Sequence, residues 1–194
     1  METQAGERIK GIEDYLTSAQ YAQGTPHEGK VVEDILDQFP LLSRGNKFHA
    51  MLATSSIPEA ISYYRLFKER APQMHVTALF DPNVDNSNGA ILKGDALQEI
   101  IGDYNELFGK DFIIPTWPKM KKDITARLSH KRPYLTVDQH REERIDLLIV
   151  VDQMLTGFDS KWVNTLYLDK IIDYENIIQA SVSYTHLTLP TNRE

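Results

Sequence analysis

The run Leu147-Leu148-Ile149-Val150-Val151, entered from Asp146, constrains this 194-residue chain more than any other stretch. A strand wetted on one face alternates apolar and polar side chains, because successive residues point to opposite faces. Here five apolar residues follow one another and three are β-branched, the pattern of a central strand covered by helices on both faces, as in a parallel sheet.

The rest of the chain supplies the partners such a strand needs. Phe48 to Thr54 (FHAMLAT) reads as a second buried strand. Ser56 then fits a helix cap and Pro58 the first helical position, so Ile57 to Arg70 continues as helix. His75 to Phe80 is a third strand and Asp81 to Gly89, rich in Asn, Asp and Pro, a loop. Helices follow over Asp95 to Leu107 and Trp117 to Ser129, the latter stopped by Arg132-Pro133. Thr165 to Leu168 is one more strand and Ile171 to Gln179 a short helix. Strands alternating with helices define an α/β domain with a mainly parallel sheet.

Ahead of it, Ile12 to Tyr21 and Lys30 to Phe39 carry helical patterns separated by Gly24-Thr25-Pro26, and Ser43-Arg44-Gly45-Asn46 ends the region. Residues 1–46 therefore read as a helical preface to a domain that starts near Lys47.

Composition narrows the function classes. No apolar run approaches the ~20 residues that span a bilayer, and the start lacks a secretory h-region. The chain is accordingly expected to be cytoplasmic, with no membrane partner. Zero cysteines rule out disulfides, thiolate catalysis and Cys-based zinc sites within this sequence, and the six histidines show no metal-ligand spacing, so no metal site is expected. Asp138 to Glu143 reads as an exposed charged loop, and Trp117 and Trp162 as packing residues.

A formal charge of -7 gives no global attraction to a phosphate backbone. Trp117 to Tyr134 nevertheless carries Lys119, Lys121, Lys122, Arg127, Lys131 and Arg132 against Asp123 alone, a local +5 (6 - 1). That segment is either a DNA-facing patch or a solvated helix face.

In open α/β sheets, ligands bind beyond the carboxyl ends of the strands. The loops to inspect follow Thr54 and Val151. The second, Asp152 to Asp159, puts Gly157 beside Asp159: glycine permits close backbone approach, and an aspartate there can accept hydrogen bonds from a ribose or orient a basic partner. By spacing alone, a strand followed by Gly-x-Asp is more often just a turn.

The whole string is more specific than its spacing. LLIVVDQMLTGFDSKWVNTLYLDK, followed by Ile177-Ile178-Gln179-Ala180, resembles motif V and the opening of motif VI in restriction subunits of type I restriction-modification enzymes. KFHAMLATSSIPEAISYYRLF (Lys47 to Phe67) resembles the family's motif IV strand and helix, and GDYNELFGKDF a recurrent helix of the family. The resemblance runs from about Ile12 to Ala180 and implies a RecA-like fold, with residues 47–180 as the second of two motor domains.

It further implies a large subunit with an N-terminal nuclease domain. That subunit would be an ATP-dependent DNA translocase and site-specific deoxyribonuclease using ATP and Mg²⁺, with double-stranded DNA and the methyltransferase and specificity subunits as partners. By the same resemblance Gly157, Asp159 and Gln179 face the nucleotide. Thr54, Ser55 and Ser56 hold phosphate oxygens of DNA. The threonine that opens motif V in many related helicases is aligned with Val151, which leaves Thr156 as the substitute DNA contact.

No G-x-x-x-x-G-K-[ST] loop occurs, so by itself the chain is expected not to hydrolyse ATP; the family places that loop in the first motor domain. Glu28-Gly29-Lys30, with Asp14 upstream, has the form of a nuclease Glu-x-Lys but lies on no predicted strand. The motif VI arginines, four and seven positions after Gln179, are replaced by Ser183 and His186, which cannot neutralise a transferred phosphoryl group as guanidinium does. Residues 181–194 resemble adapter read-through and are expected to be a non-native tail, and Met1 is an equally good internal start. Two other readings stay open: half of another superfamily 2 helicase, and a non-catalytic α/β binding domain.

Overall fold

In the computed structural model, residues 26–81, 90–151, 160–169 and 186–188 are described. The elements are α1 (Pro26–Leu42), β1 (His49–Thr54), α2 (Ile57–Arg70), β2 (Val76–Leu79), α3 (Ala90–Phe108), α4 (Trp117–Leu128), β3 (Leu147–Val151), β4 (Val163–Asp169) and β5 (His186–Thr188). The five strands form one sheet in the order β2-β3-β1-β4-β5, and all four pairings are parallel. The α/β reading with a parallel sheet holds. The helix expected over Ile12 to Tyr21, the loop after Asp81 and the helix over Ile171 to Gln179 lie wholly or largely outside the described residues.

Covered faces explain the apolar runs. Every residue of β1 and β4 is buried, as are Leu147 to Val150 of β3. Fully burying an aliphatic side chain is worth about 1.5–3 kcal/mol, and these strands contribute Met51, Leu52, Leu148, Ile149, Val150 and Leu166 to a single core. The helix of the expected preface belongs to the same core: α1 packs on α2 and β4 through Val31, Val32, Ile35 and Phe39. It begins at Pro26, which the sequence pattern puts between two helices, because proline suits the first helical turn. The chain leaves α1 through Arg44, Gly45 and Asn46, all at positive φ. This left-handed turn is where glycine and asparagine are tolerated best.

Some element ends differ from the sequence expectation. Helix α3 extends to Ala90, earlier than the expected Asp95, and β4 runs from Val163 to Asp169 rather than Thr165 to Leu168. Three residues of the segment expected to be a non-native tail, His186–Thr188, lie as a strand on β4 with Thr165 opposite His186. That pairing uses backbone groups, which any non-proline sequence supplies.

Polar groups clamp the amino edge of the sheet. Asp146, just before β3, accepts from the His75 amide at 2.8 Å and faces Arg141 at 2.7 Å and the buried Arg144 at 3.0 Å. Arg144 in turn donates to the carbonyls of Asn46 and Phe48, tying β3 to the entry of β1. Beside it, His49 donates from Nδ1 to the Ile145 carbonyl. Its Nε2 must then accept, so His130 Nε2, 2.9 Å away, carries the proton. His130 stacks on Trp162 with ring centroids 3.9 Å apart, while Trp117 is buried against Phe80. Both tryptophans are packing residues, as their sequence context implied.

Burial holds both imidazoles far below the ordinary histidine range. His49 is at about 3, with the charges of Arg144 and His130 adding to the effect against the Ile145 hydrogen bond. His130 is at about 4, lowered by burial and by Arg144 and Lys161 against the opposing pull of Asp138. The unfolded chain takes up these protons near pH 6.5 and the folded one does not until pH 3–4. The contribution is therefore complete above pH 6.5 and is lost as pH falls through the window below it. Urea unfolding free energy should decline between about pH 6.5 and 4. Replacing both histidines by glutamine should flatten that slope; an unchanged slope would assign the acid sensitivity to other groups.

Candidate functional site

The carboxyl edge of the sheet is where a ligand of this architecture would sit. Register places Thr54 directly opposite Val151 on one side and opposite Asp169 on the other. The ends of β3, β1 and β4 thus form one contiguous edge, and the chain leaves Thr54 and Val151 side by side.

The loop after β1 is short because Ser56 caps α2. Its backbone is extended, its Oγ accepts from the Glu59 amide, and proline sits in the first turn, as the sequence predicts. Glu59 reaches back in return. Its Oε2 accepts from both the Ser55 amide, at 2.8 Å, and the Ser55 hydroxyl, at 2.5 Å, a variant of the reciprocal capping box. Thr54 is buried, and its hydroxyl donates to the Val150 carbonyl at 3.2 Å. The three hydroxyl residues expected to face phosphate are therefore together, but Thr54 is turned into the sheet and the Ser55 donors are held by a carboxylate.

Asp169, at the end of β4, lies within the string that resembles motif V but is not among the expected site residues. It is 3% exposed and accepts from His27 Nε2 of α1 at 2.8 Å and from the Tyr63 hydroxyl of α2. Next to it, Glu28 of α1 is buried and accepts from Ser62 of α2. The Glu59 carboxyl is raised above its usual range, first by burial and then by the charges of Asp169 and Glu28, which together outweigh the Ser55 hydrogen bonds. Burial and the Asp169 charge likewise push the Tyr63 phenol far up, so it remains a donor. Glu28, the acidic member of the Glu-x-Lys triplet, thus sits in a helix-to-helix contact, while Asp14 lies outside the described residues. Among the described residues no three His, Asp or Glu side chains converge to hold a metal ion.

Gly157, Asp159, Gln179 and Thr156 lie outside the described residues. Of the basic segment, Lys119, Lys121, Lys122, Lys131 and Arg132 are exposed. Arg127 is not: its guanidinium is buried between the rings of Phe108, at 4.0 Å, and Tyr134, at 4.1 Å, and pairs with Asp123 at 2.9 Å. It leaves the candidate DNA-facing set because a planar cation that stacks on two rings and meets a carboxylate is a packing element.

A parallel sheet with helices packed on it is the architecture of an α/β domain of the RecA-like class. Residues 46–189 match the domain family described as Type I restriction enzyme subunit R domain 3 (T1R_D3-like), and the chain belongs to that family. It is 30% identical over 158 residues to the SauCOLORF180P endonuclease subunit of a type I restriction enzyme from Staphylococcus aureus strain COL. The same figures hold for the SauMRSORF196P subunit from strain MRSA252. The SsaAORF53P subunit from Staphylococcus saprophyticus is 28% identical over 159 residues. Each match covers 77% of this chain and only 16% of the relative's length.

The buried anchor at Asp169 has a measurable consequence. Removing one partner of a buried hydrogen-bonded charge costs about 1.5–3 kcal/mol, so Asp169→Ala should lower the urea unfolding free energy by about that amount. Ser55→Ala should change it by less than about 1 kcal/mol, since the Ser55 amide still holds Glu59. Equal stability of the Asp169 variant and the parent chain would remove the anchor.

Proposed function

We propose that this chain is the second motor domain of a type I restriction enzyme's restriction subunit, contributing one wall of an inter-domain ATP site and part of a DNA track. The observation that carries the reading is the register of β3, β1 and β4, which sets the end of β1 at Thr54 beside the ends of β3 at Val151 and β4 at Asp169. Family membership supplies the rest. Gly157, Asp159 and Gln179 would form the nucleotide-facing wall, and Ser55, Ser56 and Thr156 the side facing the phosphates of double-stranded DNA, with the buried Thr54 supporting that loop from within the sheet.

ATP with Mg²⁺ would supply the phosphoryl group whose hydrolysis drives movement, with the first motor domain holding the triphosphate. This chain's residues would shape and close that site. The Ser55 amide and hydroxyl are the right donors for a phosphate oxygen, but they can serve one only when Glu59 turns away. Burial, with the charges of Asp169 and Glu28, raises the Glu59 carboxyl above its usual range against the Ser55 hydrogen bonds. The larger protein would be cytoplasmic, act as a DNA translocase and endonuclease, and assemble with methyltransferase and specificity subunits. No described helix is long and apolar enough to cross a membrane.

Two measurements test the reading. The isolated chain should turn over no ATP, with or without duplex DNA; DNA-stimulated hydrolysis would overturn the two-domain site. In the full-length subunit, assembled with its partners, Asp159→Ala should reduce ATP-dependent translocation by about ten-fold or more while leaving unfolding stability within about 1 kcal/mol. Unchanged translocation would take Asp159 out of the nucleotide wall.

A further inference from the structure

At the amino side of the sheet, away from the carboxyl edge, α2, α3 and the start of β2 enclose a groove of about 490 Å³. Its floor is apolar: Met74 and Val76 are half-buried, and Leu107 of α3 is 39% exposed. The rim is acidic. Asp103 is satisfied, accepting from the Tyr64 hydroxyl at 2.6 Å and pairing with Lys68. Lys68 also reaches Glu99, so the lysine lining the groove is already shared between two carboxylates. Glu106, one residue before Leu107, is exposed and has no ion-pair partner among the described residues. Glu106 therefore leaves the mouth of the groove with an uncompensated negative charge above an apolar floor.

We propose that this groove docks a segment of the longer subunit that presents an aliphatic side chain next to a lysine or arginine, the aliphatic group covering Leu107 and Met74 and the cation meeting Glu106. Charge complementarity selects the cation, and the exposed floor selects the aliphatic neighbour. The relatives are several times longer than the matched stretch, which covers 16% of their length, so most of such a subunit lies outside this domain and can reach it. The inference rests on the proposal that this chain is one domain of that subunit.

The chain has no cysteine, so a single Leu107→Cys substitution reports on the groove. In the isolated chain the introduced thiol should react with a maleimide at the rate of an exposed cysteine. In the full-length subunit the same site, followed by mass spectrometry of its peptide, should react about ten-fold more slowly or slower still, as expected of a thiol screened by a bound segment. Adding Glu106→Lys should restore fast labelling in the full-length protein without changing the isolated chain. Equal rates in both proteins would mean an open groove and overturn the proposal. Protection that persists with Glu106→Lys would overturn the basic partner. Protection of the isolated chain that grows with its concentration would assign the groove to a second copy and likewise overturn it. Labelling needs neither ATP nor DNA: a subunit that translocates DNA with an open groove would lose this docking contact and keep its function.

Discussion

The structure depends on β1 lying parallel between β3 and β4, buried on both faces, and on something fixing the register of that pairing. In a half-exposed strand the alternation of apolar and polar residues does so, because a slip by one residue would turn the buried set outward. Leu147 to Val151 are all apolar, so a slip would exchange one buried aliphatic for another at little cost. Polar groups at the strand ends supply the missing constraint. Asp146 takes the His75 amide, Arg144 takes the Asn46 and Phe48 carbonyls, and His49 takes the Ile145 carbonyl. At the other end the Thr54 hydroxyl takes the Val150 carbonyl and Asp169 gathers His27 and Tyr63. A one-residue shift would leave each of these groups unsatisfied in a buried place, at a cost of about 1–3 kcal/mol.

Much of this fold was legible in the sequence because the governing signals are local. The continuous apolar run gave β3 its place in a covered sheet, and Ser56 and Pro58 announced the start of α2. The preface was harder to read: Val31, Val32, Ile35 and Phe39 display a helical stripe, but nothing in their spacing tells whether the stripe meets a separate partner or this sheet. The site was legible only in part. Thr54, Ser55 and Ser56 lie at the expected edge, yet their donors have local and cross-strand partners that the order of residues does not reveal. Asp169 escaped notice because its meaning comes from His27 and Tyr63, which lie 142 and 106 residues away in sequence.

The capping of α2 bears on what the carboxyl edge can do. A helix start next to a strand end offers amide and hydroxyl donors to an anion, and here an internal anion, Glu59, already takes them. That arrangement stabilises the start of α2. It also sets a competition, since Asp169 and Glu28 stand close enough to penalise the Glu59 charge.

Folding also redistributes charge in the segment from Trp117 to Tyr134. Counting residues gives +5 from six cations and one acid. In the folded chain Arg127 and Asp123 cancel each other inside the domain, leaving five exposed cations, Lys119, Lys121, Lys122, Lys131 and Arg132. The sum is unchanged while its meaning is not. The buried pair holds α4 to the core through Phe108 and Tyr134, and the charge left on the surface is entirely positive. In a chain of net charge -7, a local field of that sign acts on a phosphate backbone only over about a Debye length, roughly 8 Å at physiological salt. Any contact of this face with DNA would accordingly weaken steeply as salt is raised, whereas the hydrogen-bond donors of the serine loop would respond far less.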